Sequence, residues 1–315
     1  MNQELKTQIV AALEDFLKRH NMSANEFAKK SDVNASYVSN LRNGNFTVTA
    51  GDNEVLINTK YFEMIADYIG YEIDKSYWTL VPTDQFARIM ATLEDGRRFG
   101  YTNTIIAESG SGKSYAALVF AKKYPRDCYI ITVGNTDTVK DVVDKVEEAV
   151  LGSTPLNKSA KIHEIIKYMR QQKMNGMSPM IIFDEAENLN QHALAAIKEF
   201  YDGLVGNCAL VLIGTDQLIM KLDKMRKSNK VGMPQLYRRI KFGIRILHPI
   251  DRTFKHFLNT IGITEPSVVR FLRDNCTNYG ELHDVLVPAL REAERTGQPL
   301  TENFIRTIFN MPKLG

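Results

Sequence analysis

The chain has 315 residues, 44% hydrophobic and 24% charged, which gives room for about two domains with real cores and excludes a disordered protein. A net charge of +3 permits a nucleic-acid partner without demanding one, and Cys128, Cys208 and Cys276 are too scattered for a disulfide framework or a zinc site. No run reaches the length of a membrane span and the N-terminus is a polar amphipathic helix, so a cytoplasmic protein with no membrane partner is expected.

Leu5, Ile9, Ala12, Leu13, Phe16 and Leu17 recur at helical spacing over residues 3–19. Ser23 and Glu26 then form a capping box at the head of a short helix. The turn Ser31–Asp32–Val33 leads to a second helix, capped at Asn34, running from Ala35 to Leu41 and ended by Asn43–Gly44. Two short helices joined by a tight turn read as a helix-turn-helix, with spacing similar to the phage-repressor type. Ala35, Ser36, Ser39, Asn40 and Arg42 then lie on or near the helix that enters a major groove. Hydroxyls and amides there read base edges, while Arg42 or Asn43 holds phosphate. A three-helix bundle for protein contact is the other reading, because charges over residues 1–50 nearly balance. Residues 45–58 read as a loop or small hairpin, and a helix from Thr59 to Ile69 completes an all-α domain over residues 1–80.

Pro82 and Thr83–Asp84 mark a junction, followed by a lead-in helix from Gln85 to Leu93 and a short strand at Thr104–Ile106. The turn AESGSGKS then departs from the phosphate-loop pattern G-x-x-x-x-G-K-[ST] only at Ala107. Gly110 and Gly112 let the backbone curl so that N–H groups point inward, and the helix opening at Lys113 adds its positive end. Ala107, Glu108, Ser109, Gly110, Ser111, Gly112, Lys113, Ser114 and Tyr115 are the expected ATP-binding run. Lys113 would reach the β- and γ-phosphates, and the Ser114 hydroxyl would bind Mg²⁺.

Helix 113–123, strand 128–133, helix 137–150, a loop at 155–158 and helix 160–174 alternate in the rhythm of a parallel α/β sheet covered on both faces. Met180 to Phe183 is a continuous apolar run, a strand buried on both sides. Asp184 and Glu185 stand at its C-terminal end, where open α/β sheets bind ligands. Asp184 belongs to the Mg²⁺ shell, and Glu185 orients and polarises the attacking water. After helix 191–204, strand Ala209–Ile213 ends in Gly214–Thr215. Thr215 is the candidate sensor of the γ-phosphate or water, unless the pair merely turns the chain.

From Ile219 to Lys255 the charge is lopsidedly basic. Lys224, Arg226, Lys227 and Lys230 read as a flexible loop, either a solvated face or a DNA contact. Arg238 and Arg239 precede a strand near Phe242–Leu247, a place suited to an arginine finger reaching a neighbouring subunit's γ-phosphate. Helices at about 252–261, 266–275, 280–296 and 301–310 form a lid. The expected boundaries are 81–250 for the nucleotide-binding α/β domain and 251–315 for the lid.

Walker A, a Walker B ending in Asp-Glu, a polar strand-end sensor, arginine before the last strand and a helical lid make residues 85–315 resemble the AAA+ ATPases. With the helix-turn-helix in front, and with IIFDEAENL, VLIGT and LYRRI, the whole chain is similar to the phage Mu transposition protein B family, the target-selection ATPases of DNA transposition. Ala107 departs from the family pattern, as does His283, which stands where the lid often supplies a sensor arginine. Arg239 fits the finger position better than Arg238. The resemblance implies ATP with Mg²⁺, an ATP-dependent homo-oligomer or filament on double-stranded DNA, slow DNA-stimulated hydrolysis, and delivery of target DNA to a transposase. A nucleotide-sensing transcription regulator and a helicase-loader-like ATPase are the competing functions.

Overall fold

Ser23, Asn34 and Asn58 each place a side-chain oxygen on a backbone amide two or three residues on, and these caps set where the N-terminal helices begin. The structure, a computed structural model, describes residues 3–50, 53–71 and 77–312. The first of two compact units, Met1–Ser76, holds α1 (Gln3–Arg19), α2 (Ala24–Ser31), α3 (Ala35–Arg42) and α4 (Thr59–Ile69). Between α3 and α4, β1 (Thr47–Ala50) and β2 (Asn53–Leu56) pair antiparallel, so residues 45–58 take the hairpin; its turn at 51–52 lies outside the described residues. Ile9 and Leu13 of α1, Phe27 of α2, Val38 and Leu41 of α3, and Phe62 and Ile65 of α4 are fully buried in one core. Each stripe falls where the 3.6-residue period puts it.

The second unit, Tyr77–Gly315, opens with α5 (Asp84–Phe99), β3 (Asn103–Ile106) and α6 (Lys113–Lys123). It continues with β4 (Cys128–Thr132), α7 (Val139–Leu151), α8 (Lys158–Met174), β5 (Met180–Asp184), α9 (Gln191–Leu204) and β6 (Ala209–Gly214). Then come α10 (Asp216–Lys227), α11 (Met233–Ile240) and β7 (Ile244–Ile246). The five strands form a sheet in the order β4-β5-β6-β3-β7, with every pairing parallel. Alternate residues of each strand serve opposite faces. Ile181 and Phe183 pack with α7 to α11, while Met180 and Ile182 pack with α5 and α6. A strand covered on both sides needs an unbroken apolar run, and burying each such side chain contributes about 1.5–3 kcal/mol.

Register brings the site together. Ile106 lies opposite Gly214, and Asp184 opposite Thr132, so β3, β5 and β6 end at one edge of the sheet. Beyond β7, α12 (Lys255–Thr260), α13 (Pro266–Asn275), α14 (Tyr279–Thr296) and α15 (Glu302–Ile308) surround a core of their own, which also takes in Val81 and Ile250.

Several elements differ from the sequence reading, among them α11, which was not expected. Helix α5 continues past Leu93 and through Gly96 to Phe99, because a Cβ at Gly96 would already stand 3.1 Å from the Asn103 amide, and glycine lets helix and strand approach. The helix stops at Gly100, with φ 68. Residues 224–227 are the last turn of α10 instead of a loop, anchored by buried Leu218 and Leu222. Helix α12 starts only at Lys255, because the Asp251 carboxylate accepts from the backbone and hydroxyl of Thr253 and holds a turn there.

Candidate functional site

The loop between β3 and α6 turns on Gly110 and Gly112, at φ 70 and 85, where a side chain would be strained. Lys113 opens α6, and its Nζ donates to the carbonyls of Ala107 at 3.0 Å and Glu108 at 2.7 Å. Burial pulls the Lys113 ammonium below the ordinary lysine range, against the opposing pull of Glu187, Asp184, Glu108 and Glu185. Ser111 is buried with its Oγ unpartnered, whereas Ser114 and Tyr115 are exposed on the first turn.

Asp184 is buried at the end of β5, and its Oδ1 accepts from the Glu185 amide at 3.0 Å. Glu185 is exposed, with its backbone in the left-handed region at φ 55. Asn188 donates its side-chain amide both to Glu185 Oε2, at 3.2 Å, and to the Val133 carbonyl, at 2.8 Å. Thr215 precedes α10 without capping it, and its Oγ1 is buried without a partner.

A cavity of about 570 Å³ gathers Ser109 to Tyr115, Asp184, Glu185 and Thr215. Ala107 and Glu108 line a second cavity, on the other side of the loop, while Ser109 and Thr215 border both. The first cavity is also walled by residues not picked out from the sequence: Glu187, Trp78, Phe86, Phe257 and Tyr279. His283 joins them. Trp78 stands 4.6 Å from Phe257 and 5.0 Å, edge-on, from His283, giving the cavity an aromatic wall. The chain's one tryptophan, just before the Pro82 junction, is the only signal that could have found this wall from sequence. The lid is tied to the loop. Arg252 pairs with Glu108 at 3.5 Å, and Gln85 donates to the carbonyls of His248 and Pro249 at 3.1 and 3.0 Å.

The two arginines differ. Arg239 pairs with Asp202 at 2.8 Å and lies 5.6 Å from the Tyr201 ring, both on α9, whereas Arg238 is exposed with no partner among the described residues. Neither lines the cavity. On α10, Arg226 and Lys227 share Asp223 at 2.5 and 2.6 Å, which leaves Lys224 and Lys230 exposed and unpaired among the described residues. On α3, Ser36 Oγ donates to Asn34 at 2.8 Å, Asn40 donates to the Ser36 carbonyl at 3.0 Å, and Ser39 is exposed. Arg42 folds back onto Glu14 of α1, which raises its guanidinium pKa and occupies the one charge expected to hold phosphate on this helix.

Residues 99–222 match the AAA domain family. The matched stretch takes in the glycine-turn loop and strands β3 to β6 of the second unit. Its α/β fold is that of the AAA+ proteins, a five-stranded parallel sheet with many helices. In fold, the chain is similar to the Aeropyrum pernix ORC2 protein solved as ADPNP–ADP complexes, at 16% identity and TM-score 0.51, covering 74% of this chain and 68% of that one. It is similar to Cdc6p from Pyrobaculum aerophilum at 14% identity and TM-score 0.54, covering 72% and 66%. The Aeropyrum pernix ORC1 protein in complex with DNA matches at 15% identity and TM-score 0.53, covering 76% and 67%. The chain spans about two thirds of the length of these proteins. Identity this low speaks for the fold alone. No curated protein matches by sequence. No helix among the described residues is long and apolar enough to cross a membrane.

Proposed function

We propose that this chain is an ATP-dependent, DNA-binding ATPase that assembles on double-stranded DNA, holds it as a target for a transposase and stimulates that transposase. The observation that carries the ATPase part is the single cavity collecting Lys113, Asp184, Glu185 and Thr215 between the phosphate loop and the lid. Lys113 exchanges its loop carbonyls for phosphate oxygens. The Ser114 hydroxyl and the Asp184 carboxylate line the same cavity, a sparse oxygen set that suits Mg²⁺, which takes its other ligands from phosphate and water. Bound there, Mg²⁺ would offset charge on the phosphates. Glu185 takes the proton of the attacking water, Thr215 senses the γ-phosphate, and the aromatic wall around Trp78 packs on the base.

Assembly follows from the arginines. Arg238, exposed and unpaired among the described residues, is placed to reach a neighbouring subunit's γ-phosphate, and Arg239 does so only by leaving Asp202. Lys224 and Lys230 present free charge to DNA, and Ser36, Ser39 and Asn40 present polar groups on α3. The order of a helix-turn-helix-like unit before the AAA domain, with IIFDEAENL and LYRRI, supports the transposition reading. A second reading, an ATPase of the replication-initiator kind, is favoured by likeness in fold to the ORC and Cdc6 proteins, one of them solved in complex with DNA.

Binding of the full chain to random-sequence duplex with ATP, ADP or no nucleotide, over a salt series, tests the proposal. Binding that needs ATP, grows cooperatively with duplex length and weakens steeply with salt supports it. Binding that ignores nucleotide, or that requires one sequence, overturns it in favour of a regulator or an initiator.

A further inference from the structure

Glu187 lies in the turn of 3-10 helix, Ala186–Asn188, that follows Glu185. Its Oε2 is buried with no hydrogen-bond partner among the described residues, an arrangement that costs about 1–3 kcal/mol. The placement is built into the fold. Lys221 of α10 donates to the carbonyls of both Glu187 and Leu189, pinning the turn. Gly214, at the end of β6, lacks the Cβ that would stand 2.6 Å from Glu187 Oε2. The next residue, Thr215, holds a second buried polar atom without a partner, and both residues line the cavity with Lys113, Asp184 and Glu185. Glu185, by contrast, is exposed and already accepts from Asn188.

A carboxylate oxygen only accepts, while a threonine hydroxyl donates and accepts. A water lying between the two groups would accept from the Thr215 hydroxyl and donate to Glu187. From this juxtaposition we infer that Glu187 is a positioning residue for hydrolysis, fixing with Thr215 the water that Glu185 activates. The inference rests on the ATPase reading of the cavity. A water held this way keeps one lone pair for the γ-phosphorus and one hydrogen for Glu185. As the new O–P bond forms, the bond from phosphorus to the β–γ bridging oxygen breaks, the electron pair leaves with ADP, and the proton passes to Glu185. Glu187 takes no proton in this step and acts by orientation. In keeping with this place, Glu187 heads the carboxylates that favour the charged form of Lys113.

The test compares wild type, Glu187→Leu, Glu187→Gln and Gly214→Ala in the full chain, by steady-state hydrolysis and by equilibrium binding of a fluorescent ATP analogue. Glu187→Leu fills the same space without an acceptor, and should lose about ten- to hundredfold in kcat with nucleotide affinity and KM little changed. Glu187→Gln keeps an acceptor oxygen and should recover a large part of that loss. Gly214→Ala pushes the carboxylate aside and should resemble Glu187→Leu. Wild-type turnover by Glu187→Leu, or equal rates for the Leu and Gln variants, overturns the inference while leaving the ATPase reading in place. Lost nucleotide affinity in Glu187→Leu also overturns it, since the residue would then be shaping the loop. If wild type itself neither binds nor hydrolyses ATP, the ATPase reading fails and takes this inference with it.

Discussion

The backbone amide of Tyr279 donates to the carbonyl of Gly110 at 3.0 Å, so the longest lid helix begins on the phosphate loop itself. The preceding residue, Asn278, fills the space where a Gly110 side chain would project: a Cβ there would stand 2.1 Å from its Oδ1. Lid and loop are therefore set in one another's place before any nucleotide contact is counted.

Gly110→Ala should act on both partners. The new methyl group strikes Asn278, and φ 70 strains any side chain. Nucleotide affinity should fall about tenfold or more, corresponding to about 1.4 kcal/mol. Asn278→Gly in the same chain should return only part of the loss, because it makes room without relieving the backbone. Equilibrium binding of a fluorescent nucleotide reads both variants; an unchanged affinity in Gly110→Ala removes the loop–lid contact from the site.

Lys113→Ala should abolish ATP binding. The pH dependence carries a sign. Burial lowers the pKa of Lys113 from its usual 10.5, and phosphate favours the charged form. ATP affinity should be full while Lys113 is protonated and decline as pH rises through its lowered pKa, at less alkaline pH than an ordinary lysine requires. Isothermal titration across the alkaline range checks this; affinity that is flat until an unperturbed lysine would titrate counts against the buried cation.

Glu185→Gln should keep ATP binding, lose hydrolysis and lengthen the lifetime of the assembled form on DNA. Its exposed side chain makes a change in fold stability small, so melting temperature and turnover separate cleanly. Normal hydrolysis in this variant would take Glu185 out of its role.

Arg238→Ala and Arg239→Ala should part company. Arg238 has no partner to lose among the described residues, so its removal should slow turnover without moving the melting temperature. Arg239→Ala gives up Asp202 and Tyr201, a loss of about 1 kcal/mol or less in stability. Turnover measured against protein concentration decides between them. The variant whose deficit persists at every concentration while wild type accelerates marks the finger, and two variants with wild-type rates rule out both.

The turn AESGSGKS was legible in the sequence because its pattern is local: Gly110, Gly112, Lys113 and Ser114 are neighbours in the chain and line one cavity. Asp184 was legible for the same reason, marked by the apolar strand it ends. Trp78, Phe257 and Tyr279 were not, because they meet only when the lid folds back beside the lead-in segment, and no local period records that. Glu187 was hidden by its neighbour, since an acidic residue two positions after Glu185 reads as surface until Gly214 and Lys221 show what it faces. The run from Lys224 looked like a loop through its polarity. Lysine and arginine are good helix formers, and Leu218 and Leu222 behind them already set a helical stripe. Gly96 lies beyond the Leu93 end read from the sequence, and its approach to Asn103 gives the small residue a packing role.

The left-handed backbone at Glu185 has a price that falls on the position proposed to activate water. A glutamate at φ 55 is held against its own preference at about 1 kcal/mol, where asparagine or glycine would rest more easily. Stability and turnover are therefore opposed at this one residue. A search for tougher variants of the chain, conducted on heat resistance alone, would drift toward asparagine or glycine at 185 and, on the proposed role of Glu185, collect proteins that hold ATP without hydrolysing it.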